Sequence, residues 1–443
     1  MRTKGTDKVN IITLGCSKNL VDSEVLLHQL QSGGIDSRHQ AEDDEANVII
    51  VNTCGFIDRA KEESIQTILQ YAQAKEQGDI DKLYVTGCLS QRYKDELALE
   101  IPEVDAWFGT LDLPDLLRRF EVNYRHELLG ERQPTTPRHY AYLKISEGCN
   151  RTCSFCAIPL MRGGHVSRPI EELVSEARSL VRQGIKEVML IAQELTYYGL
   201  DLYKKRALSD LLKALATVEG LHWIRLHYAY PSKFPLDVLD VMAEYPTICN
   251  YLDMPLQHAS DRVLQAMKRQ ITRKETEALI ADARRLVPGI ALRTTMLVGF
   301  PGETEADFEE LMDFVAEQRF DRLGVFTYSH EEGTSGFDLA DDVPQEVKED
   351  RARRLMELQE EISEALNQRR VGQTETVLVD RIEGDWFVAR SERDSPEVDN
   401  EVLISAANHF LRIGDFVPVR IDRAEAFDLY ATPIGSSGQD GGS

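Results

Sequence analysis

The chain has 443 residues, with 51 Lys and Arg against 75 Asp and Glu, giving a formal net charge of −24 at pH 7. That length predicts two or three domains with sizeable cores, and that charge argues against broad affinity for phosphate backbones and for a basic macromolecular partner. No apolar stretch approaches a membrane span, and the N-terminus MRTKGTDKVNIITLG lacks the apolar segment of a secretory signal. A cytoplasmic location is therefore expected, where seven cysteines point to metal or catalysis rather than to disulfides.

The first region, assigned to residues 1–128, alternates strand and helix patterns. VNIITLGC (9–16), NVIIVNTC (47–54) and KLYVTGC (82–88) are apolar, β-branched runs. Helical stretches lie between them, one from Val21 with Asp22 or Ser23 as cap and one from Asp58. This pattern predicts βαβ units and a parallel sheet covered on both faces. Cys16, Cys54 and Cys88 each end one of these strands with a glycine beside or near them. If the strands are parallel neighbours, about 5 Å apart, the three thiols converge on one edge. Packing cysteines have no reason to repeat at one topological position, and an open cluster, in addition to the one considered below for the middle region, explains the repetition. Cys249 lacks such company and is expected in the core.

GERQPTTPRHY (130–140) marks a break, and residues 135–368 repeat strand-then-helix about six times. Strands are expected at 140–146, 187–193, 222–228, 250–256, 290–299 and 321–329, with helices from about Ile170, Leu208, Pro235, Ser260, Arg273 and Thr304. Six units suit an open (β/α)6 barrel, with its chemistry at the carboxyl ends of the strands. EGCNRTCSFCAIP (147–159) places Cys149, Cys153 and Cys156 just after the first strand. Three thiolates so close can wrap one metal or cluster. Structural zinc wants a fourth ligand, for which His165 is available, but no second spaced pair exists. A four-iron–four-sulfur cube held by three cysteines keeps one iron open. A long charged helix covers 343–372, and residues 371–434 read as five short strands, predicting a small β-barrel. GSSGQDGGS (435–443) reads as a disordered tail.

The C-x3-C-x2-C spacing, with Phe155 before its third cysteine, resembles the radical S-adenosylmethionine (SAM) superfamily. The resemblance implies a [4Fe–4S] cluster on Cys149, Cys153 and Cys156 that chelates SAM and reductively cleaves it to a 5′-deoxyadenosyl radical. It also implies that VGFPGET (298–304), with Gly299, Pro301, Gly302 and Glu303, walls the SAM site, where an ordinary turn and helix cap is the alternative. Arg293 is then a partner for the SAM carboxylate or, alternatively, an interdomain salt bridge, and Gln193 before Glu194 takes the place of the SAM-amine ligand. His227, Tyr228, Gln257 and His258 at strand ends are candidate cavity liners.

With the two three-cysteine sets and the terminal β-barrel, the chain resembles the methylthiotransferases along nearly its whole length. That family implies a TRAM domain at 371–434 and a second, auxiliary [4Fe–4S] cluster on Cys16, Cys54 and Cys88. It also implies sulfur insertion at an unactivated C–H bond and an electron donor such as flavodoxin or ferredoxin. LGCSKNLVDSE, CSFCAIPLMRG and YLDMPLQHAS resemble the branch that modifies an aspartate β-carbon in small-subunit ribosomal protein S-twelve. The tRNA branch, acting on isopentenyladenosine, reads closer to Gly-Cys-Gln-Met-Asn at the first of these. Residues 371–433 are also acidic, with no lysine, which suits a basic protein better than RNA.

Overall fold

The computed structural model describes residues 7–42 and 45–434; the tail expected at 435–443 lies outside the described residues. Strands β1 (Lys8–Thr13), β2 (Asp36–His39), β3 (Val48–Thr53), β4 (Lys82–Gly87) and β5 (Ala106–Trp107) form a parallel sheet in the order β2-β1-β3-β4-β5. All six residues of β3 are buried, as a central strand covered on both faces requires. Helices α1 (Ser17–Ser32) and α4 (Leu113–Arg118) pack Leu26, Leu30, Leu116 and Leu117 on Val9, Ile11 and Ile50. Helices α2 (Asp58–Gln77) and α3 (Cys88–Glu100) pack Ile68 and Leu89 on Ile49, Val51 and Val85 across the other face. Helix α1 begins earlier than Val21, with Cys16 as its N-cap. Asp22 is therefore inside the helix and free to pair across a domain boundary, and neither it nor Ser23 caps anything.

The middle region has six parallel strands in sequence order: β6 (Tyr140–Lys144), β9 (Glu187–Ile191), β10 (Trp223–Leu226), β11 (Ile248–Asp253), β12 (Ala291–Val298) and β13 (Arg322–Thr327). The short antiparallel pair β7 (Ser146–Glu147) and β8 (Val166–Ser167) brackets the cysteine loop, which carries helix α5 (Ile158–Arg162). Helices α6 (Ile170–Arg182), α7 (Leu208–Ala216), α8 (Asp237–Glu244), α9 (Asp261–Ala266), α10 (Arg273–Leu286) and α11 (Glu305–Gln318) separate the strands. Their apolar stripes form one core with the outward-facing strand residues Leu143, Leu190, Ile224, Leu252 and Leu292. Helix α12 (Gln345–Gln368) adds Leu355 and Ile362 to it. Strands β14 (Thr374–Glu383), β15 (Trp386–Ser391), β16 (Glu401–Ser405), β17 (Phe416–Ala424) and β18 (Asp428–Pro433) close into a barrel. Cys249 is fully buried in β11, as a core residue should be.

Two closures position the site. Val21 and Val25 of α1 pack on Tyr140, Tyr142, Met189 and Ile191, the inward-facing residues at the β6 edge of the open barrel. The β15–β16 loop of the small barrel enters the middle barrel from its side. Tyr251 donates to Asp399 at 2.8 Å, Arg293 donates to Asp399 at 3.3 Å, and Arg225 donates to the Glu392 carbonyl at 2.6 Å. Asp399 and, beside it, Asp394 are thus neutralised by Arg293 and Arg322 of the middle barrel.

Candidate functional site

Cys149, Cys153 and Cys156 come from one loop closed by the β7–β8 pair. Gly148 adopts φ +75°, and a Cβ there would collide with the carbonyls of Gly163 and Gly164, so the loop neck admits only glycine. The Cys149 amide donates to the Gly163 carbonyl at 3.0 Å, across that neck. The Arg151 amide donates to Cys149 Sγ at 3.4 Å. Its guanidinium lies between the rings of Tyr197 and Tyr230, at 3.9 and 3.8 Å, and pairs with Glu194 at 3.0 Å. Arg269 donates to Cys153 Sγ at 3.5 Å and stacks on Tyr230 at 4.1 Å. Burial pushes the Cys149 thiol up to about 11 and the Cys156 thiol up to about 12. Metal ligation, which requires the thiolate, displaces those protons.

The second set is assembled from three strand ends. The parallel register places Thr13 opposite Asn52 and Thr53 opposite Gly87, so the segments leading to Cys16, Cys54 and Cys88 leave the same edge. Gly15, at φ +88°, lies so close to the second of these that a Cβ would stand 2.6 Å from Cys54 Cβ and 2.8 Å from its Sγ. Ser64 Oγ accepts from the Cys54 amide at 3.0 Å and donates to its carbonyl at 2.9 Å. The Asn19 amide ties the strand ends together by donating to the Leu14 and Thr53 carbonyls at 2.8 and 3.0 Å. Cys54 and Cys88 are buried and Cys16 is exposed. Burial raises the Cys88 thiol to about 11, against the pull of the Arg162 guanidinium.

The two sets share a wall. Cys88 packs against Ala157, Ile158 and Met161, the residues that follow Cys156. Arg162, nearly buried, reaches from that helix to Asn19 and to Asp22, the latter at 2.6 Å. Lys144 pairs with the same Asp22 and with Glu147 at 2.7 Å. Sequence reasoning missed Arg151, Arg162 and Arg269; the first two lie inside or beside the cysteine motif, whereas Arg269, far along the chain after α9, carried no local signal.

Among the described residues, no three His, Cys, Asp or Glu side chains stand close enough to share a single ion. Tetrahedral zinc with bonds of about 2.3 Å needs sulfurs about 3.8 Å apart, whereas a four-iron cube takes each thiolate on a different iron. Two all-thiol sets, each one donor short of four and each lined by an arginine, fit the cube. His165, the spare zinc donor, instead bonds Ser167 Oγ at 3.0 Å.

The residues expected to touch SAM lie in two places. Glu303 accepts from the amides of Gly299 and Phe300, at 2.9 and 3.2 Å, and pairs with Arg351 of α12 at 2.9 Å. The Gly302 amide donates to Asp342 at 2.6 Å, and Pro301 is buried in the same turn. This loop is thus clamped to α12. Arg293 bridges Asp253 at 3.0 Å and Asp399 of the small barrel, realising the interdomain salt bridge. Gln193 donates to Glu147 at 2.7 Å, beside the cysteine loop. His258 stands 3.6 Å from Glu303, His227 bonds Ser395 Oγ at 3.0 Å, and Tyr228 and Gln257 hold left-handed backbones at φ 64° and 78°.

Three family descriptions match the chain: the Radical SAM superfamily over residues 143–315, Uncharacterized protein family UPF0004 over 8–109, and the TRAM domain over 371–434. Among solved structures, the radical SAM methyltransferase TsrM from Kitasatospora setae aligns with a TM-score of 0.55 at 14% identity, covering 73% of each chain. The cobalamin-dependent enzyme OxsB aligns at 0.52 and 14%, covering 78% of this chain and 56% of that one. These likenesses establish the fold. Proteins named ribosomal protein uS12 methylthiotransferase RimO are far closer in sequence. The one from Cytophaga hutchinsonii is 61% identical, covering 97% of this chain and 99% of its own. That from Flavobacterium johnsoniae is 59% identical, covering 98% and 100%, and that from Bacteroides thetaiotaomicron 53%, covering 96% and 98%. With its two thiol sets and its three matched regions, the chain belongs to the ribosomal protein uS12 methylthiotransferase family.

Proposed function

We infer that the chain is a radical SAM enzyme that places a methylthio group on the β-carbon of an aspartate in ribosomal protein uS12. The observation that carries this reading is the shared wall between two three-thiol sets, each at the carboxyl edge of its own parallel sheet. When bound, two [4Fe–4S] clusters and SAM supply the one-electron and sulfur chemistry that an unactivated C–H bond demands.

Cys149, Cys153 and Cys156 hold the SAM-binding cluster, and Cys16, Cys54 and Cys88 hold the auxiliary one. Arg151 and Arg269 balance thiolate charge at the first, and Arg162 does so at the second. Helix α1 and the β15–β16 loop close the sides of the barrel and exclude water from its interior. Gln193 is proposed to contact SAM from beside the cysteine loop, while the 299–303 turn is held by α12 and Arg293 by Asp253 and Asp399. A flavodoxin- or ferredoxin-type protein supplies the electron, and a reducing cytoplasm suits six unpaired ligand thiols. The near-full-length uS12-named relatives support the protein substrate over tRNA. So does the chain's charge of −24, which complements a basic ribosomal protein and speeds encounter.

The test incubates anaerobically reconstituted, reduced enzyme with SAM and either purified uS12 or tRNA, and weighs both by mass spectrometry. A methylthio gain on the uS12 aspartate supports the reading. A gain on tRNA alone overturns it.

A further inference from the structure

We propose that Lys18 binds the carboxylate of the substrate aspartate; this rests on the uS12 reading above. Lys18 is two residues past Cys16 and is 8% exposed. Its Nζ lies 3.2 Å from the centroid of the Tyr228 ring, and the described residues offer that ammonium no carboxylate or hydrogen bond. A buried lysine without a counter-charge is costly. Its place in the first turn of α1 opposes the helix dipole as well, since a cation there meets the positive end. Folding alone selects against such a residue.

The direction of Lys18 argues for a role at the barrel interior. It lies one helical turn before Val21, which packs on the inward face of the barrel. Its ring partner, Tyr228, lies just past β10 in a left-handed conformation, its backbone N–H donating a hydrogen bond to the Asp253 carboxylate at 3.1 Å. Strain of this kind persists where surrounding structure enforces it, commonly at functional sites. The charge of Lys18 is also felt inside: His227 is held well below its ordinary range, first by burial and then by Arg225, Arg293 and Lys18.

The other interior cations are already engaged. Arg293 holds Asp253 and Asp399, Arg225 holds Glu187, Arg151 holds Glu194 and Arg162 holds Asp22. Arg269 is given to Cys153 Sγ and to the Pro255 carbonyl. Among the described residues, Lys18 is the interior cation with neither an anion nor a hydrogen-bond acceptor, and it stands two residues from the auxiliary ligand Cys16. The carbon that receives sulfur must lie between the two cysteine sets, so an ammonium on the auxiliary side can grip the carboxylate and leave the adjacent CH2 facing the SAM side. An aspartate requires such a group and an isopentenyl chain does not.

The experiment uses reconstituted holoenzyme, uS12, and uS12 with asparagine in place of the modified aspartate. Lys18→Met is expected to raise KM for uS12 about tenfold or more, the scale of a lost charge-assisted contact. Wild-type enzyme should bind the asparagine version more weakly than native uS12, and Lys18→Met should bind both alike. Lys18→Arg should restore part of the preference, with iron content unchanged in both variants. If Lys18→Met keeps the wild-type KM and the aspartate preference, the proposal falls. It also falls if the variant loses auxiliary iron, which would assign Lys18 to holding that cluster. If wild-type enzyme leaves uS12 unmodified, the substrate reading fails first and takes this inference with it.

Discussion

The two cysteine sets bring three thiols together by opposite means. Cys149, Cys153 and Cys156 lie within one loop whose neck is fixed by Gly148 and by the β7–β8 pair. Cys16, Cys54 and Cys88 are brought together only when three strands pair in register. The first is a local site, legible as a spacing. The second is a property of topology, legible only once the strands are recognised as neighbours. Its thiols also depend on a second domain, because Arg162 and Met161 of the barrel complete their wall.

The largest effect should come from emptying each set in turn. Changing Cys149, Cys153 and Cys156 to alanine should cut iron from about eight to about four per chain and abolish 5′-deoxyadenosine formation. Changing Cys16, Cys54 and Cys88 should cut iron equally, keep SAM cleavage and abolish methylthio transfer. Unchanged iron in the second variant would break the comparison outright.

Next is the ion cluster that docks the two domains. Arg132, wholly buried, joins Glu24 of α1 to Glu176 of α6. Arg132→Met leaves buried Glu24 without a cation and Glu176 with Arg168 alone, and should cost about 3–5 kcal/mol in urea denaturation. The sheet-edge set should lose iron to a chelator before the loop set does. A variant as stable as wild type would show that docking does not depend on this arginine.

The glycines give a smaller, matched pair. Gly15→Ala must adopt φ near +88° and place a Cβ against Cys54, at about 1–3 kcal/mol locally. Gly148→Ala meets the same difficulty at the loop neck. Iron analysis after mild chelation should show auxiliary iron lost in the first and SAM-site iron lost in the second. Loss from the same set in both would erase the distinction.

The smallest effect concerns the small barrel, which touches neither set. Burial alone would raise the Asp394 carboxyl, but Arg322 and Arg370 overcome it and hold it below the usual range. Its contribution is present above about pH 3.9, the unfolded value, and is lost as pH falls toward the folded one. Asp394→Asn should therefore flatten the decline in Tm between about pH 5 and pH 3. At neutral pH its iron content should match wild type, and an iron loss there would tie the small barrel to the clusters.

Much of this architecture was legible in sequence. The β-branched runs located β1, β3 and β4, the six strand-helix units located the barrel, and the short alternating runs located the terminal barrel. Strands β2 and β5 escaped because four polar residues and a dipeptide carry no period. The start of α1 was misplaced because Cys16 is its N-cap and accepts no capping hydrogen bond. The role of residues 391–400 was hidden for a different reason. SERDSPEVDN reads as a solvent turn, and only the arginines of another domain make Asp394 and Asp399 interior residues. The acidity read as a surface for a basic partner is in part the seal between two barrels. Lys18 was equally invisible, since a lysine in a helix reads as solvated until its burial is seen.

The packing of Cys88 on Ala157 and Met161 has a consequence for the order of assembly. A loop of few residues closes at little entropic cost, so the 149–156 set can form from local contacts. The 16, 54 and 88 set must wait for three strands, for domain docking, and for the helix that the first loop carries. Assembly of the two thiol sets is therefore hierarchical. Were each set to hold its cluster as proposed, the loop set could be filled in an incompletely docked chain, and its helix would then form part of the wall of the second.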